Sequence, residues 1–137
     1  MGKALGIDYG TKRTGIAITD AMQIIASGLT TVSTHNLDDF IADIVAKENI
    51  ECFVVGDPKN LDGSATDSTG HVNGFIKRLK QQYPAIPIHQ IDERFTSKIA
   101  KQSILASGVK KKGRHNKSLV DEVSATIILQ NFLDYKF

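Results

Sequence analysis

"GIDYGTKRTGIAITD" (residues 6–20) sets two apolar runs on either side of a polar, glycine-bearing turn, and its third letter is an acid. "KALGID" (3–8) and "TGIAITD" (14–20) are rich in β-branched and small apolar residues, so they read as two strands joined through "YGTKR". "QIIASGLTTV" (23–32) continues as a third, and the start of the chain is expected to form an antiparallel meander. Asp8 stands where a buried strand wants Val or Ile. Taking an ionised carboxylate into a core is costly unless something pairs with it. Asp8 therefore either turns to water or has a chemical task.

Beyond the meander the period changes. In "NLDDFIADIVAKENI" (36–50), Leu37, Phe40, Ile41, Ile44 and Val45 fall at helical spacing, with Asn36 as the expected N-cap. "ECFVVG" (51–56) is an apolar strand. The polar loop "DPKNLDGSATDSTG" (57–70) leads into a helix over about 68–83, where Val72, Phe75, Ile76 and Leu79 share a face. "AIPIHQID" (85–92) is the fifth strand. "TSKIAKQSILASG" (96–108) reads as a helix capped by Thr96 or Ser97 and stopped by Gly108. "SLVDEVSATIILQNFLDY" (118–135) closes the chain as an amphipathic helix with Asp121 and Glu122 in its first turn. Three strands followed by strands separated by helices imply an α/β fold. Its sheet is mixed, its later strands are parallel, and helices cover both faces.

Composition narrows the class. At 137 residues and 41% apolar content the chain is expected to be one domain, residues 1–137, with one hydrophobic core. Cys52 is the lone cysteine, which excludes an internal disulfide and suits a reducing, cytoplasmic setting. No apolar stretch reaches membrane-spanning length, so no membrane partner is expected. Residues 109–120, "VKKKGRHNKSLV", hold five of the 17 Lys and Arg and no acid, which leaves the rest of the chain slightly acidic. Such a basic segment is either a solvated loop or a contact for phosphates.

The acids gather where an open α/β sheet binds its ligands, beyond the carboxyl ends of the strands. Asp8 ends the first strand, Asp57 follows the fourth, and Asp92 and Glu93 follow the fifth. Converging carboxylates repel one another unless a cation intervenes, and an oxygen-only donor set points to Mg²⁺ or Mn²⁺. On that reading Asp8 is a metal ligand. The other acids have ordinary alternatives: Asp121 in a capping box with Ser118, Asp92 or Glu93 beside Arg94, and Asp57 as a turn starter before Pro58. "GTKRTG" has the frame of a phosphate loop but lacks the Lys and Ser or Thr that must follow. His35, His71, His89 and His115 show no metal-ligand spacing.

Taken together, "GIDYGTKRTGIAI", "VVGDPKNLDGS", "IDERFTS" and "VDEVSATIIL" resemble the YqgF family. These are the RNase H-like Holliday junction resolvases also described as precursor 16S rRNA nucleases. The resemblance spans nearly the whole chain in the family's order. It implies an RNase H-like sheet ordered 3-2-1-4-5 and a divalent-metal-dependent nuclease site. By position, Asp8 matches the first-strand aspartate, Glu93 the glutamate of the D-E-R motif, and Asp121 the aspartate of the final helix. These three are the expected catalytic and metal-binding residues. Asp57 departs from the family's pattern: it either joins the metal site, as an acid after the fourth strand does in related resolvases, or starts the turn, and the turn is the favoured reading.

The expected activity is phosphodiester hydrolysis in 5′-end processing of precursor 16S rRNA, with four-way DNA junction cleavage as the alternative. A non-catalytic module binding structured RNA ranks third. Lys12, Arg13, Arg94, Lys110, Lys111, Lys112, Arg114 and Lys117 are the expected nucleic-acid contacts. "DYGT" also suits an actin- or sugar-kinase-type nucleotide site, which needs two such domains, and 137 residues supply one. Phe132, Leu133, Tyr135 and Phe137 fit either core or a dimer seam, so the chain is expected to be a monomer or a weak homodimer.

Overall fold

A computed structural model describes residues 2–57, 69–92 and 117–136. The elements are β1 (Lys3–Asp8), β2 (Arg13–Thr19), β3 (Ala26–Ser33), α1 (Leu37–Lys47), β4 (Ile50–Asp57), α2 (Thr69–Gln82), β5 (Ile88–Asp92) and α3 (Lys117–Lys136). The five strands form one sheet in the order β3-β2-β1-β4-β5. Short turns make β1–β2 and β2–β3 antiparallel, whereas the passages through α1 and α2 make β1–β4 and β4–β5 parallel. This is the mixed sheet and strand order that the motif resemblance implied.

Side-chain alternation divides the sheet into two unlike faces. Leu5 and Ile7 of β1, Ile16 of β2, and Phe53 and Val55 of β4 pack against Leu37 and Ile41 of α1 and Val72, Phe75, Ile76 and Leu79 of α2. The opposite face is lined by smaller side chains: Ala4, Ala17, Cys52 and Val54 meet Ala125, Ile128 and Leu129 of α3. Large residues keep α1 and α2 at a distance, and small ones let α3 settle close to β1 and β2. Leu133 is buried and Phe132 packs against this second core, so that part of the tail belongs to the interior. Among the described residues no helix is long and apolar enough to cross a membrane.

Local structure departs from the sequence reading in several places, one of them the fifth strand, which begins at Ile88 and not at residue 85. The third strand begins at Ala26, not at Gln23. The Asp20 carboxylate accepts the N–H groups of Met22, Ile24 and Ile25, and these bonds fold the apolar "MQII" into a turn. Gln23 within it has φ 54° and is buried, donating its side-chain amide to the Gly2 carbonyl at 2.8 Å and to the Glu51 carboxylate. Asn36 occupies the N-cap position of α1 without a side-chain cap bond. A 3₁₀ turn over Thr34–Asn36 feeds the helix instead, and Asp38 and Asp39 in the first turn favour its positive end. Finally, α3 starts at Lys117 and has no acid in its first turn, so Asp121 lies one turn further in than expected. The helix expected over 96–108 and the basic residues Lys110, Lys111, Lys112 and Arg114 lie outside the described residues.

Candidate active site at the carboxyl end of the first strand

Asp8 closes β1 on the α3 side of the sheet. Ala4 packs on α3, and strand alternation carries that face through Gly6 to Asp8, which is half-buried. Its register partner across the β1–β2 ladder is Gly15. A Cβ at Gly15 would lie 2.0 Å from the main-chain oxygen of Asp121, so α3 rests directly on that glycine. Register partners in an antiparallel pair are only about 5 Å apart at Cα. Glycine opposite the first acid therefore admits the backbone that carries the second.

The turn between β1 and β2 is tied down independently. The Thr14 hydroxyl meets that of Thr34 at 2.9 Å, and Thr34 donates to the Gly10 carbonyl at 2.6 Å. The Thr34 N–H bonds the Lys12 carbonyl at 3.0 Å. Tyr9 stacks on Phe75 of α2 with ring centroids 4.9 Å apart. Lys12 is exposed at this turn. Arg13 reaches α3 and donates from Nε to Asp121 Oδ2 at 2.9 Å. Neither the arginine's contact nor its partner was legible from local pattern.

The remaining acids separate. Asp57 ends β4 on the face of Phe53 and Val55, opposite to that of Asp8, and is the register partner of Asp92. Glu122 lies over β3: a Cβ at Gly28 would stand 2.8 Å from Glu122 Oε1. Asp121, which the capping-box alternative linked to Ser118, is paired with Arg13. Glu93 and Arg94 follow β5 and lie outside the described residues, and Lys117 is described as the first residue of α3. His89 packs against Phe132 in a tilted arrangement with ring centroids 4.9 Å apart.

Asp8 and Asp121 lie on the same face of the sheet, and carboxylate oxygens are the donors a hard divalent cation takes. Among the described residues no group of three His, Cys, Asp or Glu could hold a metal.

The fold is that of the RuvC-type resolvases, which share the RNase H-like architecture. Thermus thermophilus RuvC in complex with a Holliday junction substrate superposes with TM-score 0.60 at 14% identity, covering 99% of this chain and 96% of that one. The fowlpox virus Holliday junction resolvase gives 0.55 at 13% identity, with 98% and 99% covered. The chain itself belongs to the family described as "RuvX: Holliday junction resolvase", whose model matches residues 2–135. Proteins named "Putative pre-16S rRNA nuclease" share 52% identity in Flavobacterium johnsoniae, over 99% of both chains, and 51% in Porphyromonas gingivalis, over 98% and 97%.

Proposed function

We propose that this protein is a divalent-metal-dependent nuclease that hydrolyses phosphodiester bonds, with precursor 16S rRNA as its substrate and 5′-end processing as its task. The observation that supports it is the close approach of the Asp121 main chain to Gly15, the register partner of Asp8, on one face of the sheet. Family membership and the names of relatives at about half identity support the same reading.

Asp8, Glu93 and Asp121 would hold Mg²⁺ or Mn²⁺. A bound ion of this kind supplies water activation and neutralises charge on the leaving oxygen. The chain's own part is placement. The backbone of Asp8 is fixed by the β1–β2 ladder and that of Asp121 by the seating of α3, so the main chain that carries each acid is set before substrate arrives. Lys12, exposed in the β1–β2 turn, would be a phosphate contact, and the basic residues from Lys110 to Lys117 would track the nucleic-acid backbone without reading sequence.

The family description and the RuvC neighbour favour four-way DNA as the second substrate. One assay separates the readings: precursor 16S rRNA and a four-way DNA junction, each offered with Mg²⁺ and with Mn²⁺ to wild type and Asp8→Asn. RNA cleavage by wild type alone is the expected result. Equal cleavage by folded Asp8→Asn refutes the site. Junction cleavage without RNA cleavage replaces the substrate. Metal-independent binding of RNA without cleavage of either substrate replaces the enzyme by a binding module.

A further inference from the structure

We propose that Arg13 is an exchangeable counter-ion: it holds Asp121 in the metal-free protein and is released to the substrate phosphate when a divalent cation takes the carboxylate. The inference rests on the nuclease reading above and concerns how its site changes hands.

Three observations carry it. The contact is a direct Nε–Oδ2 bond of 2.9 Å between residues far apart in sequence, made by an acid stacked over the partner of Asp8. Both side chains are partly open to water, Arg13 at 39% and Asp121 at 24%, so ions and phosphates can reach them. The fold does not depend on the bond. The Arg13 main chain is held in the ladder opposite Ser33, and the turn is tied by Thr14, Thr34 and Gly10.

Charge explains why the pair belongs there. Two acids on one face repel, and a guanidinium beside one of them relieves that repulsion while no cation is bound. A divalent cation offsets both Asp8 and Asp121, which leaves the guanidinium free for the phosphate. Arginine also suits the second partner, since its forked donors match phosphate oxygens as well as carboxylates. Arg13 is thus a positioning residue for Asp121 first and a phosphate contact second.

The test uses the full chain. Mn²⁺ is titrated by calorimetry into wild type, Arg13→Gln, Arg13→Lys and Asp121→Asn. Removing a partly exposed competitor should tighten Mn²⁺ binding in Arg13→Gln by about two- to five-fold. Arg13→Lys keeps a charge that can pair with Asp121 and should bind Mn²⁺ as wild type does. Asp121→Asn should bind it far more weakly. In parallel, structured RNA is bound at several salt concentrations, read by stopped-flow anisotropy before cleavage. With Mn²⁺ present, Arg13→Gln should lower the slope of log affinity against log salt by about 0.7 to 0.9, the value of one phosphate contact. Without Mn²⁺, the two slopes should coincide. Mn²⁺ binding that is unchanged or weaker in Arg13→Gln, or equally tightened in Arg13→Lys, overturns the exchange while leaving the nuclease reading intact. A salt slope equally reduced with and without Mn²⁺ overturns it too. Failure of wild type to bind Mn²⁺ at all removes both.

Discussion

Gly15→Ala probes the joint between the two acids. The added Cβ would stand 2.0 Å from the Asp121 carbonyl oxygen and 2.4 Å from its carbon, where ordinary contact begins at 3.4 Å. Both atoms are backbone and cannot rotate aside, so the start of α3 must retreat by more than an ångström. That retreat also loosens Ala125, Ile128 and Leu129 in their seat. Overpacking of this kind costs about 1–3 kcal/mol. The melting temperature should fall by roughly 5–10 °C, while a stability of about 5–15 kcal/mol keeps the protein folded. Asp8 keeps its ladder and Asp121 moves away from it. A misplacement of about 1 Å can cost about a hundredfold in rate. Turnover of precursor 16S rRNA at saturating substrate with Mn²⁺ should therefore drop by about that factor. Folding is checked by circular dichroism. A folded Gly15→Ala protein that melts lower yet keeps kcat within about threefold of wild type would refute the argument that the two acids must sit together.

Gly74→Ala is the matching control. Gly74 lies within α2 with nothing within 4 Å of an added Cβ, so alanine should stabilise by about 0.5–1 kcal/mol through helix propensity and leave cleavage unchanged. A lower melting temperature would contradict the open surface there. Asp20 offers a pH test. Backbone N–H bonds from Ile25, then Ile24 and Met22, hold its carboxyl below the ordinary 3.8, so the folded state favours the ionised form. Its contribution is full above pH 3.8 and is lost as pH falls through the lower folded value. Asp20→Asn should melt below wild type at neutral pH, with the gap closing in acid. A constant gap across the acid range would show that the charge is irrelevant to the turn.

Much of this protein is legible without coordinates. The apolar runs of β1, β2 and β4 announce strands because their side chains are buried on both faces, and the stripe on α2 announces a helix because only one of its faces is. Strand order came from motif likeness, and hydrogen-bonded register agrees with it. Where local chemistry overrode hydrophobicity the reading failed. Ile24 and Ile25 look like strand, yet one carboxylate bends them into a turn.

The acids of the site show where that legibility stops. Asp8 stood out because a charge in an apolar strand demands a reason, and its position alone raised the question. Which other acids join it is a matter of faces. A strand's period of two sends Asp57 to the α2 side and Asp8 to the α3 side, and the glycine at Gly28 draws Glu122 toward β3. The pairing of Arg13 with Asp121 crosses 108 positions of sequence, and no local pattern encodes it. Sequence determined which residues carry charge and which segments must be buried. Tertiary structure alone decided which charges meet, because that depends on how closely α3 can approach β2, and Gly15, having no side chain, sets that distance.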